Sequence, residues 1–127
     1  MAGKYSNIRV FDFISKMDYA YAAGDAVVSR AGAISLAELC IAGKPSILVP
    51  SPNVAEDHQT KNANSLGNKN AAIVIKDEMA VQQLGSKVIE LLNDAHLRNS
   101  LSKNIKALAI TDSAQRIAKE IIELSVK

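Results

Sequence analysis

The sequence is poor in the residues that several kinds of functional site require. It has a single cysteine, Cys40, so neither an internal disulfide nor a multi-cysteine metal site can form, and a reducing compartment is the expected setting. It has no tryptophan, three tyrosines and two phenylalanines, which are too few to suggest a surface on which bases stack. The net charge of +2 is too small to indicate a nucleic-acid interface. We therefore expect no nucleic-acid partner.

Long apolar runs are also lacking. No stretch approaches the roughly 20 apolar residues of a membrane-spanning helix, and residues 1–7 lack the apolar stretch of a signal peptide, so a cytoplasmic protein is expected. The chain has 127 residues, of which 48% are hydrophobic and 22% charged, as in an ordinary folded domain. This length suits a single domain, residues 1–127, and a two-domain enzyme is not expected to be present whole.

Short β-branched runs alternate with longer helical patterns along the chain. The pattern predicts strands at residues 8–11, 26–29, 46–49 and 71–75. It predicts helices at about residues 14–23, 35–42 and 57–66, and over most of the chain beyond residue 76, including a stretch through Ile117, Ile121 and Leu124. This order is typical of an α/β fold, here a doubly wound, Rossmann-like sheet of about four parallel strands. Such sheets bind ligands at the carboxyl ends of their strands.

The first candidate site follows the second predicted strand, around Gly32. Small residues at this turn let a ligand approach the backbone, and the N–H groups of the next helix suit an anion such as phosphate. Alternatively, Gly32 serves only to make a tight turn. Ser35 is a predicted N-cap, and Glu38 three residues later would complete a capping box. Glu38 could instead accept hydrogen bonds from the vicinal hydroxyls of a ribose.

The second candidate site is the polar cluster after the proline-rich loop at residues 50–53. Gln59 and Asn62 are three residues apart on a predicted helix and so share a face, and amide side chains suit sugar hydroxyls. His58 is a weaker candidate for a general base or metal ligand, because no second ligand lies at helical spacing. His96 is expected at the surface. Ser29 lacks the Gly-x-Ser-x-Gly context of a hydrolase and Cys40 is expected in the core, so the sequence offers no credible nucleophile.

Three segments together resemble the C-terminal half of the MurG family of bacterial peptidoglycan glycosyltransferases. They are SRAGAISLAE at residues 29–38, AGKPSILVP at residues 42–50, and DHQTKNA at residues 57–63. The resemblance implies half of a two-domain GT-B fold, in which the C-terminal domain binds a UDP-sugar and the N-terminal domain binds a lipid acceptor at the membrane. It implies a hexosyltransferase that moves N-acetylglucosamine from UDP-N-acetylglucosamine to lipid I, giving lipid II. The expected processes are cell wall biogenesis and, through it, cell shape and division.

The resemblance also implies roles for individual residues. Ile14 should meet the uracil through its backbone, with Met17 lining that pocket. Glu38 should hold the ribose hydroxyls, and the residues around the diphosphate and ribose should be Gly32, Ala33, Ile34 and Ser35. Arg30 is also expected to bind the nucleotide. The sugar should be read by His58, Gln59 and Asn62. No metal or other cofactor is implied.

Parts of the family's pattern have no counterpart in this chain. The N-terminal domain, the opening strands with a glycine-serine loop, the general base and the acceptor site are expected to be missing, so the chain alone is expected to be inactive. A whole protein is expected at the cytoplasmic face of the inner membrane. An uncovered sheet edge favours self-association. Two alternatives stay open here: a donor-binding subunit that acts in trans, as in the eukaryotic dolichol-linked N-acetylglucosamine transferase, and a doubly wound interaction domain with no nucleotide site.

Overall fold

A computed structural model of the chain describes residues 5–52 and 57–109. Helices and strands alternate along the first of these ranges and into the second, and two helices close the described part. The elements are α1 (Met17–Ala23), β1 (Val27–Ser29), α2 (Ala33–Ala42), β2 (Ser46–Leu48), α3 (His58–Asn68), β3 (Ile73–Val74), α4 (Asp77–Asn93) and α5 (Ala95–Leu108). None of the helices in these ranges is both long enough and apolar enough to span a membrane.

The three strands form one parallel sheet in the order β1-β2-β3, with Ile47 of β2 paired with Val28 on one side and with Ile73 on the other. The predicted parallel α/β architecture is confirmed. The predicted first strand is wrong, because residues 8–11 are irregular and exposed, with Phe11 63% accessible. A β-branched run becomes a strand only where a neighbouring strand pairs with it, and within the described ranges residues 8–11 have no such partner.

The central strand β2 is buried on both faces, as its uninterrupted apolar run predicts. Leu48 joins a core cluster with Leu39 of α2 and Ile105 of α5. Ile47 faces the opposite way and packs with Leu91 and Leu101 of the last two helices. Helices therefore cover both faces of the sheet, which confirms the doubly wound arrangement.

The ends of α2 differ from the prediction at one terminus and match it at the other. The helix begins at Ala33 with Gly32 as N-cap, so the predicted Ser35 N-cap and its capping box with Glu38 are wrong. Ser35 already lies inside the helix, which leaves the Glu38 carboxylate available for other contacts. The helix ends at Gly43 as predicted, because this residue adopts a left-handed φ of 65° that a side chain would strain.

Other boundaries shift by a few residues. Helix α1 begins at Met17 rather than near residue 14, and α3 extends to Asn68. The predicted helix through Ile117, Ile121 and Leu124 lies outside the described residues.

Cys40 is buried, as expected, and burial raises the pKa of its thiol, which argues against a nucleophilic role.

Candidate functional site

Helices α1 and α2 pack side by side and leave a groove of about 400 Å³ between them. Its walls are mostly apolar, and the residues that line it include Met17, Tyr21, Glu38, Ile41 and Lys44. Met17 and Glu38 were predicted to bind the same nucleotide from two separate segments. The tertiary structure brings them into one groove, whose size is in the usual range for small-ligand sites.

The Glu38 carboxylate is held by a residue that sequence reasoning missed. The Tyr21 hydroxyl donates a hydrogen bond to Glu38 Oε2 over 2.9 Å. Burial, then this hydrogen bond, then the negative charge of Glu38 raise the pKa of Tyr21 from 10.0 to about 12. The phenol is therefore a protonated donor throughout the neutral range. A sequence signal was present, since Tyr21 lies four residues after Met17 and so on the same face of α1.

The raised pKa of Tyr21 predicts that the folded chain loses stability at alkaline pH. Because the pKa of Tyr21 is higher in the folded chain than its ordinary value of 10.0, its contribution to stability is fully present below pH 10 and is lost as the pH rises through about 12. We expect the tyrosinate absorbance of the wild type minus that of Tyr21→Phe to titrate near pH 12. Glu38→Gln should lower this midpoint only in part, because burial is the largest cause of the shift. A Tyr21 titration midpoint near pH 10.0 in the wild type would contradict the conclusion that burial and Glu38 raise the pKa of this residue.

The turn around Gly32 is open toward solvent. Gly32 has an ordinary φ of −67°, and a Cβ placed there would meet only the Gln59 side chain, at a van der Waals distance of 3.9 Å. A tight turn therefore does not explain the glycine. The first turn of α2 contains no acidic residue, and no side chain caps it. Its N–H groups are thus suited to an anion, with Ala33, Ile34 and Ser35 supplying backbone at the predicted diphosphate position.

The same turn is clamped from α3 by two of the predicted sugar-reading residues. Gln59 Oε1 accepts hydrogen bonds from the backbone N–H groups of Ala31, at 3.3 Å, and Ser51, at 2.8 Å. Asn62 Nδ2 donates to the Ala31 carbonyl over 3.3 Å. With its oxygen on these two donors, Gln59 turns its NH₂ group toward Gly32. The two amides therefore hold the turn together, a structural role that the sequence did not reveal, while leaving an N–H donor at its surface.

The remaining predicted residues lie around this centre at different positions. His58 is exposed at the first residue of α3, and Ile14 precedes α1 with 38% of its surface accessible. Arg30 Nη1 lies 2.5 Å from Asp77 Oδ1 at the start of α4 and also donates to the Val49 carbonyl. This ion pair holds the guanidinium against α4, so the predicted contact between Arg30 and a nucleotide stays a prediction.

The described part of the chain contains no group of three or more histidine, cysteine, aspartate or glutamate residues that could hold a metal ion. The expectation that the site needs no metal or cofactor stays a prediction.

Comparison with known proteins identifies the family. Residues 2–121 match the Glycosyltransferase family 28 C-terminal domain. The chain belongs to glycosyltransferase family 28. Membership of family 28 confirms the resemblance inferred from the three motifs.

Relatives in family 28 cover nearly all of this chain. It is 54% identical over 126 residues to the UDP-N-acetylglucosamine--N-acetylmuramyl-(pentapeptide) pyrophosphoryl-undecaprenol N-acetylglucosamine transferase of Phocaeicola vulgatus, a match that covers 99% of this chain and 34% of that protein. It is 55% identical over 124 residues to the protein of the same name from Bacteroides fragilis, covering 98% of this chain and 33% of that one. The chain thus spans about a third of the length of these curated relatives.

A solved structure supports the fold of this family 28 domain. The crystal structure of MurG from Acinetobacter baumannii is similar with a TM-score of 0.73 and 27% sequence identity, over 91% of this chain and 33% of that one. The predicted Rossmann-like half of a GT-B fold is confirmed. The roles of the individual site residues stay predictions.

Proposed function

We propose that this chain is the donor-binding part of an inverting N-acetylglucosaminyltransferase that binds UDP-N-acetylglucosamine at the α1–α2 groove and the Gly32 turn. The observation that carries the proposal is the convergence of Met17, Tyr21 and Glu38 on one groove. The names of the relatives from Phocaeicola vulgatus and Bacteroides fragilis support the same donor and the same acceptor class. The whole enzyme would convert lipid I to lipid II, with the acceptor reached at the cytoplasmic face of the inner membrane.

In the proposed complex, different residues bind the ribose, the base and the diphosphate of the donor. The Glu38 carboxylate accepts hydrogen bonds from the ribose hydroxyls, and Met17 lines the pocket for the base. The N–H groups in the first turn of α2 receive the diphosphate, where the positive end of the helix favours negative charge. The Gln59 NH₂ group lies beside the Gly32 turn and donates to an oxygen of the ligand. These residues bind and orient the donor, and we assign no acid, base or nucleophile among them.

We therefore expect the chain to bind the donor without transferring its sugar. Acceleration of glycosyl transfer requires the acceptor hydroxyl to be held in line with the donor, and no residue assigned above performs that task. The test is an NMR titration of the isotope-labelled chain with UDP-N-acetylglucosamine, UDP and GDP, together with a transfer assay on a lipid I analogue. Shifts at α1, α2 and the Gly32 turn with the uridine ligands alone are the expected result. Turnover by the purified chain, or equal response to GDP, would contradict it.

Self-association of the chain also stays a proposal. Within the described residues β1 and β3 each pair with β2 alone, so both edges of the sheet are unpaired. Val28 on β1 is 46% exposed, and the preceding segment exposes Val10, Phe11 and Phe13. Unpaired strand edges and contiguous apolar surface both promote association between molecules.

A further inference from the structure

We propose that Tyr21 is a positioning residue that fixes the Glu38 carboxylate for recognition of the ribose of the donor nucleotide. The inference rests on the proposed function, because it assumes that a uridine nucleotide occupies the groove. It adds a residue that acts through Glu38 and is not expected to touch the ligand itself.

Tyr21 is suited to hold another side chain in place because it is itself held. Its ring is partly buried and packs against the core cluster that contains Leu39 and Ile105. A tyrosine has two side-chain torsions, and packing of the ring restricts both. The hydroxyl therefore projects into the groove from a fixed position, 2.9 Å from Glu38 Oε2.

Glu38 gains more from such a contact than a shorter side chain would. Its carboxylate ends a flexible side chain with three torsions on the groove side of α2, and ordering it at the moment of ligand binding costs conformational entropy. The hydrogen bond from Tyr21 already orders the Glu38 side chain in the free protein, so this entropy is not lost when the ligand binds.

The other charged groups of the groove do not replace this contact. Lys44 lines the groove, but its ammonium group donates to the Gly24 carbonyl over 2.9 Å. Asp18, also in the lining, carries the same charge as Glu38 and so cannot form an ion pair with it. A neutral phenol orients the carboxylate without neutralising it, which preserves its strength as an acceptor.

The Glu38 carboxylate can accept further hydrogen bonds from the two hydroxyls of a ribose. A carboxylate offers about four lone-pair positions, of which Tyr21 uses one on Oε2. The remaining positions on both oxygens can accept from the 2′- and 3′-hydroxyls of a ribose. If Tyr21 sets this orientation, its hydroxyl controls how strongly the site prefers a ribonucleotide over a 2′-deoxyribonucleotide.

The experiment compares calorimetric titrations of the chain with UDP and 2′-deoxy-UDP, in the wild type, Tyr21→Phe and Tyr19→Phe. Tyr21→Phe removes one hydroxyl and keeps the packed ring, so it should fold, which thermal unfolding checks. Tyr19 is the matched control, because it lies on the same helix, is 65% exposed and contacts Lys16 instead. We expect Tyr21→Phe to weaken UDP binding about threefold to tenfold, and to weaken 2′-deoxy-UDP binding less, because that ligand keeps only the 3′-hydroxyl contact with Glu38. The preference for UDP over 2′-deoxy-UDP should therefore become smaller.

The outcomes separate this inference from the function on which it rests. No change in either affinity in Tyr21→Phe, in a chain whose wild type prefers UDP, would overturn the role of Tyr21 alone. An equal loss in both affinities would assign Tyr21 a merely structural role and overturn it as well. A folded wild-type chain that binds neither uridine nucleotide would overturn the proposed function together with the inference.

Discussion

Glu38→Ala is expected to raise the dissociation constant of the chain for UDP by about 10- to 100-fold, because a hydrogen bond to a charged group contributes about 1.5–3 kcal/mol. The substitution removes the acceptor for both ribose hydroxyls. The fold should survive, since Glu38 is partly exposed, lies within α2, and alanine favours a helix. Calorimetric titration with UDP measures the effect, and circular dichroism checks the fold.

Glu90→Ala is the matched control for this loss of charge. Glu90 is exposed on α4 and pairs with Lys87 at 3.3 Å, a surface ion pair of the kind that contributes little to stability. Its substitution should leave UDP affinity unchanged. Equal UDP affinity in Glu38→Ala and the wild type would contradict the proposal that Glu38 binds the ribose hydroxyls.

Gln59→Ala is expected to lower the free energy of unfolding by about 1–3 kcal/mol, because the stranded backbone N–H of a buried residue costs about that much when water cannot replace its partner. Gln59 Oε1 serves the N–H groups of Ala31 and Ser51 together, and Ala31 is fully buried. The connection between the turn before α2 and the loop before α3 is lost with the amide. Urea denaturation measures the change.

Gln59→Glu separates this structural role from ligand binding. A carboxylate oxygen can still accept from both backbone groups, so the free energy of unfolding should stay within about 1 kcal/mol of the wild type. The NH₂ donor beside Gly32 is replaced by a negatively charged acceptor, which repels a diphosphate, and affinity for UDP-N-acetylglucosamine should fall at least about tenfold. Gln82→Ala, on the exposed surface of α4, is the control for both measurements.

A Gln59→Glu variant that binds as tightly as the wild type would limit Gln59 to its structural contacts. A Gln59→Ala variant as stable as the wild type would show that water satisfies the Ala31 and Ser51 N–H groups. These two results are independent, because the first reports on the amide nitrogen and the second on the amide oxygen.

Local sequence patterns determine much of this protein by themselves. The apolar run of β2 predicts a buried central strand, and Gly43 with Pro45 predicts the end of α2. Both follow from the preferences of residues close together in the chain, for burial or for a backbone conformation. The motifs around Gly32 and Gln59 likewise carry enough information, in their order and spacing, to indicate the family that the match over residues 2–121 confirms.

The features that failed or were missed depend on contacts between distant residues. Residues 8–11 have the composition of a strand but lack a pairing partner in the described structure, and pairing is not encoded in the run itself. Glu38 satisfies the spacing of a capping box, yet its carboxylate meets Tyr21, seventeen residues away, because α1 packs against α2. Gln59 was predicted as a sugar ligand, and only the approach of α3 to the Gly32 turn revealed that its oxygen holds two loops together. Sequence periodicity reports which face of an element is apolar, whereas the partner of a polar atom is decided by how the elements pack.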